Sequence, residues 1–113
     1  MQFSLIVCTY MRPKPLLQLL ESVNKQTLYP NEIIIVDGSV NDDTKHVLQD
    51  HVFDNLNYYK VDGTNRGLTK QRNFGVNKVS ETSDIICFLD DDIILEKHYF
   101  EVLIGTYKIH PEA

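Results

Sequence analysis

Cysteine is scarce in this chain, basic charge is in deficit, and no apolar run is long. Cys8 and Cys87 are the only two cysteines in 113 residues. Both lie in apolar, strand-like runs, so they read as buried free thiols of a reducing compartment. Their separation fits no metal motif. The net charge of −5 argues against a nucleic-acid surface. It leaves room for a small phosphate ligand, which local groups can hold. The first apolar run, Phe3 to Cys8, is too short for a signal peptide or a membrane span, and no basic segment leads into it. These absences predict a cytoplasmic protein, at most peripheral to the inner face of a membrane. There is no repeat, low-complexity tract or internal linker. With 42% hydrophobic and 24% charged residues, residues 1–113 read as one soluble globular domain with a modest core.

The most informative stretch is Ile85-Ile86-Cys87-Phe88-Leu89-Asp90-Asp91-Asp92. Five apolar residues in a row predict a strand buried on both faces, as in a parallel sheet. The strand runs directly into three carboxylates. If extended geometry persists, Asp90 and Asp92 share one side and Asp91 takes the other. Two carboxylates about 6–7 Å apart repel by roughly 2–3 kcal/mol at an effective dielectric near 20. A hard divalent cation, Mg²⁺ or Mn²⁺, would turn that repulsion into attraction. The competing reading is a solvated acidic loop or a helix N-terminus.

Three further apolar runs precede it. Phe3 to Cys8 predicts a buried strand that ends in the polar loop Thr9-Tyr10-Met11-Arg12-Pro13. Pro15 suits the first turn of a helix, and Leu16, Leu17, Leu20 and Val23 then follow helical spacing as far as Gln26-Thr27. Glu32 to Asp37 predicts a second strand, again ending in an acid, with a turn at Gly38 to Asn41. Asn41 or Asp42 can cap a short helix that turns Val47, Leu48 and Val52 inward. Leu56 to Val61 alternates more and reads as a strand nearer the sheet edge. Leu68, Arg72, Gly75, Val76 and Val79 fall on one helical face, so Arg72 would need a partner or ligand. Tyr99, Phe100, Leu103, Ile104 and Tyr107 give a final amphipathic helix before His110-Pro111-Glu112-Ala113.

The alternation β-α-β-α-β-α-β-α implies a parallel sheet in a three-layer α/β/α fold. Such sheets bind ligands beyond the C-terminal ends of the strands, at the switch in strand order. Thr9 and Tyr10, Asp37, and Asp90 to Asp92 all fall there. His46, His51, His98 and His110 are scattered and are not read as ligands. A receiver-like phosphoacceptor domain also clusters Asp at strand ends, but it would want an acidic pair where Thr9 and Tyr10 stand.

Ser4-Leu5-Ile6-Val7-Cys8-Thr9-Tyr10-Met11-Arg12 resembles the opening strand of inverting family-2 glycosyltransferases of the GT-A fold. Glu32 to Ser39 with Asp42 and Thr44 resembles their second strand and turn, although Gly38-Ser39-Val40 departs from the commoner acidic-glycine version. Asn65-Arg66-Gly67 with Gln71-Arg72-Asn73-Phe74-Gly75 resembles their glycine-containing segment, and Phe88 to Asp92 their DXD motif. The four motifs stand in order and span nearly the whole chain. The resemblance implies a truncated GT-A domain that binds a nucleoside-diphosphate sugar, a UDP-sugar above all, with Mn²⁺ or Mg²⁺. Thr9 and Tyr10 would line the nucleoside pocket, and Arg12 would lie near the base or phosphates. Asp37 would accept a hydrogen bond from the base. Arg72 would face the nucleotide or pair with Asp37. Asp90 would contact the ribose or a metal-bound water, Asp91 would stand between, and Asp92 would ligate the metal. Family members run at least twice this long, and their second half carries the site for a saccharide or lipid acceptor and the catalytic base. Glu96 and Glu101 fall on an expected surface helix and do not look like that base. The alternative is a non-catalytic relative acting as a binding or assembly module, paired as a homodimer through an exposed sheet flank.

Overall fold

The computed structural model describes residues 1–109; His110 and the three residues after it lie outside the described part. The elements follow in order: β1 Phe3–Thr9, α1 Pro13–Asn24, β2 Glu32–Asp37, α2 Asp43–Gln49, β3 Leu56–Lys60, α3 Leu68–Val76, β4 Ile85–Leu89 and α4 Tyr99–Ile109. The strands form one sheet in the order β3-β2-β1-β4, and every pairing is parallel. The chain therefore builds outward from β1 through β2 to β3, then crosses to the other side of β1 for β4.

Register fixes which residues share a face. Leu5 lies beside Ile33 and Cys87, and Val7 beside Ile35 and Leu89. This face carries the larger core, closed by Leu16, Leu19, Leu20 and Val23 of α1, Leu48 of α2, and Phe100 and Ile104 of α4. The rings of Phe3 and Phe100 meet at 5.1 Å between centroids. The opposite face carries Ile6, Ile34 and Val36, covered by α3 through Phe74 and joined by Tyr59, Val61 and Val79. Gly75 lets α3 approach closely, because a Cβ there would stand 2.8 Å from Ile6 Cγ2 and 3.3 Å from Val36 Cγ2.

Three sequence expectations need correction. Strand β4 is not buried on both faces: Cys87 alone is buried, while Ile86 and Phe88 are 38% and 41% exposed. It is an edge strand, and α3 packs against β1 and β2 instead. Helix α2 ends at Gln49, so Val52 is exposed. Asp42 makes no cap hydrogen bond; Asn41 Oδ1 accepts from the Asp43 N–H, and Asp42 pairs with Lys60. The face of α3 is rotated from the expected stripe. Gly75 is buried and Val79 joins the core as expected, but Gln71 is buried in place of Arg72, and Leu68, Arg72 and Val76 are exposed. The edge position of β3 and the inward Leu16, Leu20 and Val23 agree with expectation.

The two helical glycines separate packing from propensity. Gly75→Ala is expected to lower stability by ~1–3 kcal/mol, since overpacking outweighs the helix-propensity gain. Gly105→Ala meets no atom within 4 Å and is expected to raise stability by ~0.5–1 kcal/mol. Urea unfolding of both variants checks the pair; equal shifts would contradict this packing.

Candidate functional site

The crossing from β3 to β4 makes the switch in strand order fall between β1 and β4. The loops after β1 and β4 part there, and a crevice opens beyond the strand ends. A cleft of about 460 Å³ occupies this position. Strand β1 and the loop after it contribute Cys8, Thr9, Tyr10 and Arg12; the segment after β4 contributes Asp90, Asp91 and Asp92. Arg66, Gly67, Leu68 and Gln71 close the third side.

The carboxylates do not alternate as an extended strand would place them, because β4 stops at Leu89 and a turn follows. Asp91 turns inward and accepts a 2.9 Å hydrogen bond from Thr9 Oγ1. Arg12 spans the turn, with Nη1 3.6 Å from Asp91 Oδ1 and 3.3 Å from Asp92 Oδ2. Burial raises the Asp91 carboxyl above the ordinary range, a shift opposed by the Thr9 hydroxyl and the Arg12 guanidinium. Asp90 and Asp92 are exposed to solvent. On the facing wall the Arg66 guanidinium carbon lies 6.0 Å from the centre of the Tyr10 ring. The first turn of α3 starts at Gly67, whose φ of +115° is open to glycine. Gly67 has no side chain to cap that turn, and Gln71 Oε1 accepts only the Gly67 N–H, so the next N–H groups and the helix dipole favour an anion in the cleft.

Cation ligands are available as hard oxygens. Among the described residues, no three His, Cys, Asp or Glu side chains gather into a metal-binding group. A cation here would take one or two carboxylates and fill its other places with water or phosphate, as Mg²⁺ commonly does. The donor set fits Mg²⁺ or Mn²⁺ in that mode.

Two candidates from the sequence stand outside the cleft. Asp37 is fully buried, and both carboxylate oxygens are engaged: Oδ1 accepts from the Ser39 N–H at 2.9 Å, Oδ2 from the Tyr58 hydroxyl at 2.5 Å. It does not line the cleft and has no free face for a base. Its work is indirect. Ser39 Oγ accepts the Met11 N–H at 2.8 Å, and Met11 holds φ +57°, a left-handed conformation that costs a non-glycine residue on the order of 1 kcal/mol. The chain Tyr58–Asp37–Ser39–Met11 thus fixes the loop that aims Tyr10 and Arg12. Arg72 makes no ion pair with Asp37; it is exposed, and its guanidinium lies 5.5 Å from the Phe88 ring centre.

Arg66 and Gln71 are cleft residues to which sequence reasoning gave no role. The signal for Gln71 was a polar residue one position from Arg72, on a helix whose phase was misjudged. For Arg66 it was a base in the loop entering α3, at the rim where strands end.

Fold and cleft together define a parallel α/β domain with an acidic rim at the switch point. The comparisons with known proteins place it. Residues 4–113 match the family model "Glycosyl transferase family 2", and the chain belongs to that family. It is 30% identical over 95 residues to the O-antigen chain rhamnosyltransferase RfbN of Salmonella typhimurium, covering 84% of this chain and 29% of that protein. It is 29% identical over 107 residues to an Escherichia coli UDP-Gal:alpha-D-GlcNAc-diphosphoundecaprenol beta-1,3-galactosyltransferase, covering 91% of this chain and 38% of that protein. The fold matches the crystal structure of S. aureus TarS 1–349 in complex with UDP-GlcNAc, with a TM-score of 0.82 and 26% identity, over 98% of this chain and 32% of that one. The chain thus spans roughly a third of the length of these relatives.

Tyr58→Phe removes one of the two donors to a buried carboxylate and is expected to cost ~1–3 kcal/mol of stability in urea unfolding. A second test concerns Cys8 and Cys87, whose thiols burial pushes up to about 11. At pH 8 about one thiol in a thousand is ionised at such values. Alkylation by iodoacetamide should be slow in the folded protein and rapid in guanidinium for both; fast native labelling of either would contradict their placement.

Proposed function

We propose that this chain is the donor-binding part of a glycosyltransferase, taking a nucleoside-diphosphate sugar together with Mn²⁺ or Mg²⁺. The observation that carries the reading is the meeting of Tyr10, Arg66, the α3 N-terminus and Asp90 to Asp92 around one cleft. Tyr10 offers a ring face to a base, stiffened by the Arg66 guanidinium across it. The α3 N-terminus and Arg66 favour the diphosphate. Asp90 and Asp92 project from the opposite side, where Asp92 would hold the metal and Asp90 the ribose or a metal-bound water. Thr9 keeps Asp91 turned inward, between them. The bound cation would supply charge neutralisation for the departing diphosphate.

A uridine donor is supported by the UDP-GlcNAc complex of TarS and by the UDP-Gal in the name of the E. coli relative. The reaction would be a direct displacement with inversion. The acceptor hydroxyl oxygen forms a bond to the anomeric carbon as the bond from that carbon to the diphosphate oxygen breaks. The acceptor proton passes to a general base in the rest of the protein, which would also hold the saccharide or lipid acceptor. Two free cysteines fit a cytoplasmic setting. None of the described helices is long and apolar enough to cross a membrane.

A second reading rests on the β4 edge, where Ile86 and Phe88 are partly exposed. There the chain would serve as an assembly module and pair with a second copy through its sheet flank. Sedimentation over a range of concentrations tests it, and a monomer throughout would remove it.

Calorimetry with UDP, with and without Mn²⁺, tests the donor reading. Binding should require the metal, and Asp92→Ala should weaken the metal-dependent part about tenfold or more. Absence of metal-dependent binding of any nucleoside diphosphate would overturn it.

A further inference from the structure

Gln71 is 3% exposed, on the face that α3 turns to the sheet, one helical turn from Gly75. A long amide in such a place is costly unless its polar atoms are matched. Here they are. Nε2 donates to the Thr9 carbonyl at 3.1 Å and to the Val36 carbonyl at 2.9 Å. Oε1 accepts the Gly67 N–H at 3.1 Å. Both N–H donors are therefore spent on the protein's own backbone, and none is left to offer a ligand.

The three partners belong to three different parts of the site. Thr9 is the last residue of β1, directly before Tyr10. Val36 leads into Asp37 and Gly38 at the end of β2. Gly67 opens α3 beside Arg66. A fourth contact locks the arrangement: a Cβ on Gly38 would stand 2.7 Å from Gln71 Oε1 and 3.2 Å from Arg66 Cγ, so glycine lets the amide and the arginine stem close over that turn. Arg66 Nε in turn donates to the Gly38 carbonyl.

We infer that Gln71 is a positioning residue of the cleft. Its amide sets the spacing between the Thr9–Tyr10 wall and the Arg66–Gly67 wall, and thereby the affinity for a nucleoside diphosphate. This inference rests on the donor-cleft reading. A residue that served stability alone would lower the melting temperature and leave the affinity of the folded protein unchanged. A positioning residue changes that affinity.

The test is calorimetric titration of the protein with UDP and Mn²⁺ well below the unfolding midpoint, with folded content checked by circular dichroism. Gln71→Leu removes the amide. Gln71→Glu keeps shape and acceptor while setting an oxygen against the Thr9 and Val36 carbonyls. Each is expected to raise Kd about tenfold. Gly38→Ala, which pushes a methyl into the amide, should act in the same direction. The double variant Gly38→Ala/Gln71→Ala should bind less weakly than the two single effects added together would give, because the methyl then meets only the Arg66 stem. Values of Kd within about twofold of wild type in folded variants would overturn the inference, and so would strictly additive effects in the double variant. If the wild-type protein bound no nucleoside diphosphate with Mn²⁺, the donor-cleft reading itself would fail, before any variant was compared.

Discussion

A parallel sheet brings all its strand C-termini to one rim, and the backbone there must find partners outside the ladder. That constraint organises this molecule. Where β1 and β2 end, the Thr9 carbonyl accepts the Gly38 N–H, and the Thr9 and Val36 carbonyls both accept from one side chain, Gln71, reaching over from α3. Beside it Asp37 meets the Ser39 N–H and the Tyr58 hydroxyl. Two buried polar side chains thus hold the ends of β1 and β2, where an unsatisfied group would cost ~1–3 kcal/mol. What they hold up is the loop bearing Tyr10 and Arg12 and the helix start bearing Arg66. The order β3-β2-β1-β4 then decides that the opening lies between β1 and β4, with the acids of β4 facing the loop from β1.

Most of the fold was legible in the residues. Apolar runs at 5–8, 33–36 and 85–89 named three strands, and the weaker alternation at 56–61 marked an edge strand. What periodicity left unread was partnership. Ile85 to Leu89 has the composition of a doubly buried strand, but burial is set by what packs on the outer face, and among the described residues nothing covers Ile86 and Phe88 fully. The phase of α3 was missed for a related reason. Its apolar residues are too few to fix a face, and the true inward face carries Gln71 and Gly75, one polar and one without a side chain. Intramolecular hydrogen bonds and a close backbone approach chose that face; hydrophobicity did not.

The candidate site was legible where position alone sufficed. Thr9, Tyr10, Arg12 and Asp90 to Asp92 lie at strand ends, and the switch-point rule brings them together whatever their rotamers. The two candidates that stand outside the cleft, Asp37 and Arg72, depended on side-chain direction. Asp37 also lies at a strand end, but its register beside Thr9 and Lys60 turns its carboxylate to the Tyr58 side of the sheet. Arg72 follows Gln71, and one step along a helix is a rotation of about 100°, enough to take it from the cleft floor to the Phe88 ring. A one-residue error in phase exchanged the exposed charged residue for the buried amide that lines the cleft.

The charges around the cleft bear on why a cation enters the proposed chemistry. The wall built from Asp90, Asp91 and Asp92 carries formal negative charge, and a diphosphate brings more. Like charges that close repel by roughly 2–3 kcal/mol per pair even at an effective dielectric near 20. Arg12 offsets part of this, but it is already engaged by Asp91 and Asp92, and its side chain is 54% exposed, where solvent weakens ion pairs. Arg66 and the α3 N-terminus act from the other wall, where they favour the ligand without relieving the acids. On the proposed donor reading, positive charge between the carboxylates and the phosphates would relieve both, at the place where Arg12 now lies against the turn. A divalent ion is smaller than a guanidinium and carries twice its charge, and its oxygen preference matches both sides. On that reading the acidic rim would serve as a shared cation site, tying the acids after β4 to the phosphate-favouring helix start across the cleft.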